Sequence, residues 1–317
     1  MTDNKLDQTT NKYSNFLKID KTDPVTLYLE GLAPSGRRSM HSLLQTVANI
    51  FEFEGPLERM TWPLLQYHHI ANIRSTLQNQ GKSANTINLT LSACRGVMKA
   101  CFNLSLIKAD QLISINEVKR VRGKRLPSGR SLSHQETKAL IAACKRDKTI
   151  NGRRDLAVIA LMLASGLRRS EVVALDIENY DTNNGQLLVM AGKGNKQRVV
   201  FIQTDARRLI KPWIDCRGKE VGKLFQSIRN KNDILNRKMN SQSIYDLIKK
   251  RSIEANIANC KPHDFRRTFV TRLLESGVDI NTVRQLVGHS DIQTTARYDL
   301  RDEKEQKRAL KRASFVM

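Results

Sequence analysis

The sequence predicts a mainly α protein with a small antiparallel β-sheet, split into a helical N-terminal domain and a larger C-terminal one. Three observations predict it. From about Asp23 to Ile115, apolar residues recur at the three-to-four spacing of helices that bury one face. In "GQLLVMAGKGNKQRVVFIQ", the apolar runs Leu187–Met190 and Val199–Ile202 flank a Gly/Asn-rich turn, the pattern of a hairpin. Between these regions "KRVRGKRLPSGRS", Lys119–Ser131, is basic, aperiodic and rich in Gly, Pro and Ser, the composition of an interdomain linker.

Taken in order, residues 1–22 are polar and read as a flexible tail. Over 23–118, "DPVTLYLEGL", "SMHSLLQTVANIFEF", "TWPLLQYHHIANIRSTLQNQG" and "SANTINLTLSACRGVMKACFNLSLI" supply the helices of a bundle. Breaks are expected at Pro34-Ser35-Gly36, Gly55-Pro56 and Gly81. His68 and His69 are adjacent, and neighbouring side chains diverge on a helix, so a structural role is expected rather than a metal site. After the linker at 119–131, Ser133 and Glu136 have the spacing of a capping box and open a second domain, 132–302. "RRDLAVIALMLASG" predicts a mostly buried helix ending near Gly166, and "LRRSEVVALD" a further one. Beyond the hairpin the chain reads as helical, through "TDARRLIKPWIDC", "NSQSIYDLIKKRSIEANI", "HDFRRTFVTRLLESG" and "INTVRQLVG". Ser290 is expected to cap a last short amphipathic helix. Residues 303–317 form a charged tail ending in Phe315, Val316 and Met317.

Composition narrows the function. The 317 residues carry 54 Lys and Arg against 31 Asp and Glu, a net charge of +23. The excess is spread, with 17 basic against 10 acidic residues in 1–128 and 37 against 21 in the remainder. A surface of this sign attracts phosphate backbones through counterion release. No long apolar run predicts a membrane span, no basic amphipathic helix or lipidation motif suggests a membrane surface, and the polar N-terminus does not resemble a secretory signal. Five cysteines without a C-x-x-C pair suit the reduced thiols of a cytosol.

Within the second domain, polar groups concentrate at four places. "SGLRRSE" places Arg168 and Arg169 just past a buried helix, with Glu171 positioned to orient an arginine. "AGKGNKQR" places Lys193 and Lys196 in the hairpin tip, without the spacing of a nucleotide-binding phosphate loop. "KPHDFRRTF" puts His263 and Arg266 on one helix face, and "HSDIQTTARYD" carries His289 and Tyr298. Each alone is ordinary. Together they suit attack on a phosphodiester without a metal. Paired arginines can clamp the non-bridging oxygens where charge builds in the transition state. A tyrosine hydroxyl can act as nucleophile in such a positive field, and a lysine on a turn can protonate the leaving oxygen.

The stretches "ASGLRRSEVVAL", "AGKGNKQRVVFI" and "HDFRRTFVTRLLESGVDINTVRQLVGHSDIQTTARYD" resemble the tyrosine recombinases of the phage integrase family, with a layout similar to Xer enzymes. The resemblance covers about Ser133 to Asp299, and the N-terminal region matches the family's core-binding domain only in size and helix content. It implies a helical core-binding DNA-binding domain at 23–118, a catalytic domain at 132–302 and a tail at 303–317 that docks in trans. The family's first arginine falls on Arg168, its lysine on Lys193, its H-x-x-R pair on His263 and Arg266, its later histidine on His289 and its nucleophile on Tyr298. Arg169 and Arg267 stand beside the assigned arginines and keep some ambiguity.

The implied activity is site-specific recombination of double-stranded DNA at inverted-repeat core sites by a homotetramer. It would pass through a 3′-phosphotyrosyl intermediate and a Holliday junction, without ATP, metal or other cofactor. An accessory DNA-bending protein, a nucleoid setting in a bacterial cytoplasm and service to a mobile element are further expectations. Relaxation of DNA by type IB topoisomerase chemistry, or DNA binding without catalysis, are the competing readings.

Overall fold

The computed structural model describes residues 23–123, 129–190, 197–230, 232–289 and 291–296. The chain divides into two compact units, 1–126 and 127–317.

The first unit is a helical bundle of α1 (Pro24–Glu30), α2 (Pro34–Ile50), α3 (Tyr67–Asn79), α4 (Ala84–Asn103) and α5 (Ala109–Asn116). Asp23 caps α1 by accepting from the Val25 and Thr26 N–H groups. The break expected at Pro34-Ser35-Gly36 is instead the first turn of α2. Proline fits there, because its fixed φ is helical and its missing N–H has no partner to lose. Around α4 the core gathers Ile87, Leu91, Cys94, Val97, Met98 and Cys101 against Leu44, Trp62, Ile70, Ile73 and Leu77, all at most 2% exposed. Gly96 lets α1 approach, since a Cβ there would stand 2.1 Å from the Tyr28 ring.

His68 and His69 do not diverge as expected. Their rings lie 3.9 Å apart between centroids, and their Nε2 atoms are 3.1 Å apart. The divergence rule fails at the first turn, where His69 folds back so that its Nδ1 accepts from the Gln66 N–H. Among the described residues, no three His, Cys, Asp or Glu side chains converge as a metal site.

The basic segment after α5 is fastened to this unit as far as it is described. The Asn88 carboxamide pairs with both the N–H and the C=O of Val121, at 2.9 and 3.0 Å, and Arg95 donates to the Val118 carbonyl. Residues 124–128, including Lys124 and Arg125, lie outside the described residues. At the start of the second unit, the Arg130 N–H donates to Asp264 at 3.1 Å and its guanidinium to Glu136 at 2.7 Å.

The second unit comprises α6 (His134–Arg146), α7 (Ile150–Ser165), α8 (Arg169–Ala174), β1 (Gln186–Met190), β2 (Gln197–Phe201), α9 (Thr204–Arg217), β3 (Gln226–Arg229), β4 (Asp233–Lys238), α10 (Ser241–Glu254), α11 (Pro262–Glu275), α12 (Ile280–Val287) and α13 (Ile292–Ala296). Both bonds of the Ser133/Glu136 capping box form. Leu156–Met162 in α7 are all at most 7% exposed, so this helix is wrapped on every side, by α6, α9 and α11 among others. It ends at left-handed Gly166 (φ 61°), where a Cβ would stand 2.5 Å from the Phe269 ring.

The expected hairpin forms as β1 and β2, antiparallel from Gln186 opposite Phe201 to Met190 opposite Gln197. A second antiparallel pair, β3 with β4, lies in a stretch the sequence reading passed over, so the described residues form two small sheets rather than one. Ser290 and the tail at 303–317 lie outside the described residues. No described helix is long and apolar enough to cross a membrane.

A buried ionic network ties the second unit together. Arg251 on α10 is 1% exposed and donates to Asp155 on α7 at 2.7 and 2.9 Å, and to Asp147 and Glu254 at 2.7 Å each. Burial raises the Asp147 pKa, but bonds from Thr149 and Arg251 outweigh it and hold the carboxyl at about 2. All five cysteines are free; Cys94, Cys101, Cys144 and Cys260 are buried, while Cys216 on α9 is partly exposed.

Candidate active site

The site is built where four helix ends of the second unit meet, the C-termini of α7 and α12 and the N-termini of α8 and α11. Arg168 caps the N-terminus of α8, just past left-handed Gly166. Its backbone N–H donates to Glu171 Oε2 at 2.8 Å and its Nη1 to Glu171 Oε1 at 3.1 Å, while its side chain stays 46% exposed. The N-cap position therefore holds the arginine's base rigidly and leaves its guanidinium accessible. The sequence left Arg168 and Arg169 as neighbours. In the structure Arg168 is the one bound to Glu171, and Arg169 is the exposed first residue of α8.

His263 and Arg266 lie one turn apart near the start of α11, as their spacing predicts. Arg266 is 2% exposed. Its Nη1 donates to the Gly166 carbonyl at 2.9 Å and its Nη2 to the Val287 carbonyl at 2.7 Å. These acceptors are end-of-helix carbonyls of α7 and α12, groups with no partner inside their own helices. One buried cation thus closes two helix C-termini, where the helix dipole also favours positive charge.

His289 follows left-handed Gly288, which ends α12. It is 6% exposed, with Nδ1 2.8 Å from Thr295 Oγ1 on α13. Burial, helped by the charges of Arg266 and Arg168, lowers its pKa to about 4. His263 sits exposed at the rim; the part of its ring that is buried, together with Arg266, lowers its pKa as well. Both imidazoles are therefore held toward the neutral form.

Four of the six residues singled out in the sequence, Arg168, His263, Arg266 and His289, are brought together here. A concavity of about 260 Å³ opens beside the first three, lined in part by Arg168, Arg169, Tyr245, Lys261, His263 and Arg266. Lys193 and Tyr298 lie outside the described residues; β1 and β2 flank 191–196, and α13 ends at Ala296. Sequence reasoning missed Arg198 on β2, whose guanidinium meets Glu171 through two bonds, at 3.1 and 2.9 Å. Its only signal was a cation opening an apolar strand, which usually means a solvated side chain.

The depressed His289 pKa carries a stability prediction. Unfolded, the imidazole protonates near 6.5; folded, only near 4, so the unfolded chain binds more protons between these values. The contribution is present in full above pH 6.5 and is lost as pH falls to about 4, on the order of 3 kcal/mol at most. His289→Gln should flatten that part of the stability–pH curve, measured by urea unfolding from pH 7 down to 4.5. An equally steep curve in the variant would place the titration elsewhere.

Against known proteins, residues 130–305 match the phage integrase family. The chain is 30% identical over 277 residues to the tyrosine recombinase XerC of Alcanivorax borkumensis, covering 86% of this chain and 88% of that protein. It is 31% identical over 242 residues to the tyrosine recombinase XerA of Pyrococcus furiosus, covering 76% and 78%. Both alignments are longer than the whole second unit, so they reach into the N-terminal unit. Among solved structures, XerH site-specific recombinase bound to a palindromic difH substrate superposes with a TM-score of 0.62 at 19% identity, covering 86% of this chain and 78% of that one. The likeness extends to the fold, and the family match spans more than half of the chain. The chain belongs to the phage integrase family and is a tyrosine recombinase, an enzyme of site-specific DNA recombination.

Proposed function

We propose that the protein recombines duplex DNA through a covalent link to Tyr298. The phenolic oxygen attacks phosphorus, a P–O bond to Tyr298 forms, and the bond from phosphorus to the 5′ oxygen breaks. This leaves a 3′-phosphotyrosyl end and a free 5′-hydroxyl. The phenolic proton passes to a neutral imidazole, and the Lys193 ammonium protonates the departing oxygen. A 5′-hydroxyl from the partner duplex reverses the step and returns the proton to Tyr298. Each exchange replaces one phosphodiester by another, so ATP has no role in the chemistry.

One observation carries this reading. Arg168 and Arg266 line one concavity with the neutral-biased His263, the charges of both arginines also reach His289, and two arginines suffice to clamp the non-bridging oxygens of a phosphodiester. The net charge of +23 supports binding to phosphate backbones. The palindromic substrate of XerH supports inverted-repeat core sites, and a palindrome pairs naturally with two-fold related protomers. Four protomers on two such sites, exchanging strands in two rounds through a Holliday junction, complete the reaction. An accessory bending protein would assemble that complex, and the tail at 303–317 would dock in trans within it.

Covalent capture tests the proposal. The full chain is incubated with sheared genomic DNA of its source, and protein-linked fragments are recovered under denaturing conditions and sequenced. The expected result is a discrete set of sites with protein on the 3′ end and a free 5′-hydroxyl opposite. Recovery at the ends of a mobile element would fix the element served. Absence of covalent DNA would sink the reading, and captured sites that relax supercoils but never exchange partners would favour a topoisomerase.

A further inference from the structure

Arg198 has no part in the chemistry above, yet three of its nitrogen positions are committed within the site. Nη1 and Nη2 donate to the two oxygens of Glu171, at 3.1 and 2.9 Å, and Nε donates to the Leu286 carbonyl at 3.0 Å. The side chain is only 12% exposed. Unlike Arg168 and Arg266, it does not line the concavity, so its bonds serve the protein rather than a phosphate.

Its two sets of acceptors belong to the two halves of the site. Glu171 holds Arg168 through both backbone and side chain. Alone, that carboxylate would largely cancel the Arg168 charge; with Arg198 on its other side, the three groups keep one net positive charge for the substrate. Leu286 is in the last turn of α12, and the next carbonyl, Val287, is taken by Arg266. Two arginines thus brace adjacent carbonyls just before Gly288 turns left-handed and presents His289. The bracing is tight, since a Cβ on Gly288 would stand 3.0 Å from Arg198 Nη1.

We infer that Arg198 is a positioning residue, one guanidinium that fixes the Arg168 clamp and the His289 segment in a common geometry. Its consequence for cleavage rests on the proposed function; its consequence for the fold of the site does not. Lysine retains the charge but cannot hold a carboxylate on two nitrogens and a carbonyl on a third.

The test uses full-length Arg198→Lys and Arg198→Met. Hydrogen exchange in the DNA-free protein reads two separate amides, Arg168, which donates to Glu171, and His289, which donates to the Arg284 carbonyl. Both should exchange roughly 10-fold faster in each variant, while amides within α7 stay unchanged. On a fragment recovered by covalent capture, single-turnover cleavage should fall on the order of 10²-fold, with DNA affinity within about 3-fold of wild type. Faster exchange at only one of the two amides, or wild-type cleavage by Arg198→Lys, would overturn the inference. If the wild-type chain forms no adduct with any fragment, the proposed function fails, and the exchange arm decides the role of Arg198 by itself.

Discussion

Tyr298→Phe will bind its DNA site like the wild type and form no covalent adduct. The substitution removes one oxygen and keeps the ring, so the loss isolates the nucleophile. Of the other five tyrosines, Tyr28 and Tyr180 have pKa values raised by burial, which opposes a phenolate. Tyr245 borders the concavity, so it is the tyrosine to which a stray adduct would most readily map. An adduct on Tyr245, or one formed normally by Tyr298→Phe, would overturn the assignment. Arg168→Ala should also cost about 10²- to 10³-fold in cleavage, because it removes a donor whose bond strengthens as charge builds. Its exposed side chain makes it the better test of the clamp. Arg266 also closes two helix ends, and its removal would damage the fold. Lys193→Ala should differ in kind. A substrate with sulfur in place of the leaving oxygen needs no proton, and should restore cleavage to Lys193→Ala but not to Arg168→Ala.

Arg251→Met should destabilise the second unit by about 3–5 kcal/mol, the usual cost of removing one partner from a buried ion pair. The loss comes from what is left behind. Asp155 is 3% exposed and would keep only Arg154, at 3.0 Å, as a charged partner. The two units have separate hydrophobic cores, so urea unfolding should show the transition of 127–317 shifting while that of the N-terminal bundle stays in place. Adding Asp155→Leu should recover part of the loss, because it removes the most deeply buried carboxylate that Arg251 had paired. A single variant with wild-type stability would mean that water reaches Asp155 in solution.

The sequence made most of this architecture legible, for reasons that differ from element to element. The β1–β2 hairpin was readable because both strands are apolar and a Gly/Asn turn separates them. The capping box at Ser133 was readable because it is a purely local device. The β3–β4 pair escaped because "QSIR" and "DILNRK" contain few apolar residues and stay mostly at the surface, so no alternation marks them. At the site, four residues could be assembled because a resemblance supplied what spacing could not. Arg198 and the Arg251 network were invisible because a buried charge is defined by its partners, and these lie 27 and 96 residues away in the chain. Sequence patterns record periodicity along one element; they do not record which distant carboxylate an arginine will meet.

The distribution of thiols has a practical consequence for following the enzyme at work. Burial pushes Cys94 and Cys144 to about 12 and Cys101 to about 11, and raises Cys260, so the nucleophilic thiolate is scarce at all four. Cys216 alone is partly open to solvent. A maleimide dye offered briefly to the folded chain will therefore settle on one known position of the second unit, and on all five cysteines once the chain is denatured. The unmodified sequence thus supplies its own attachment point for single-molecule fluorescence. The number of dyes taken up doubles as a measure of how much of the preparation is folded.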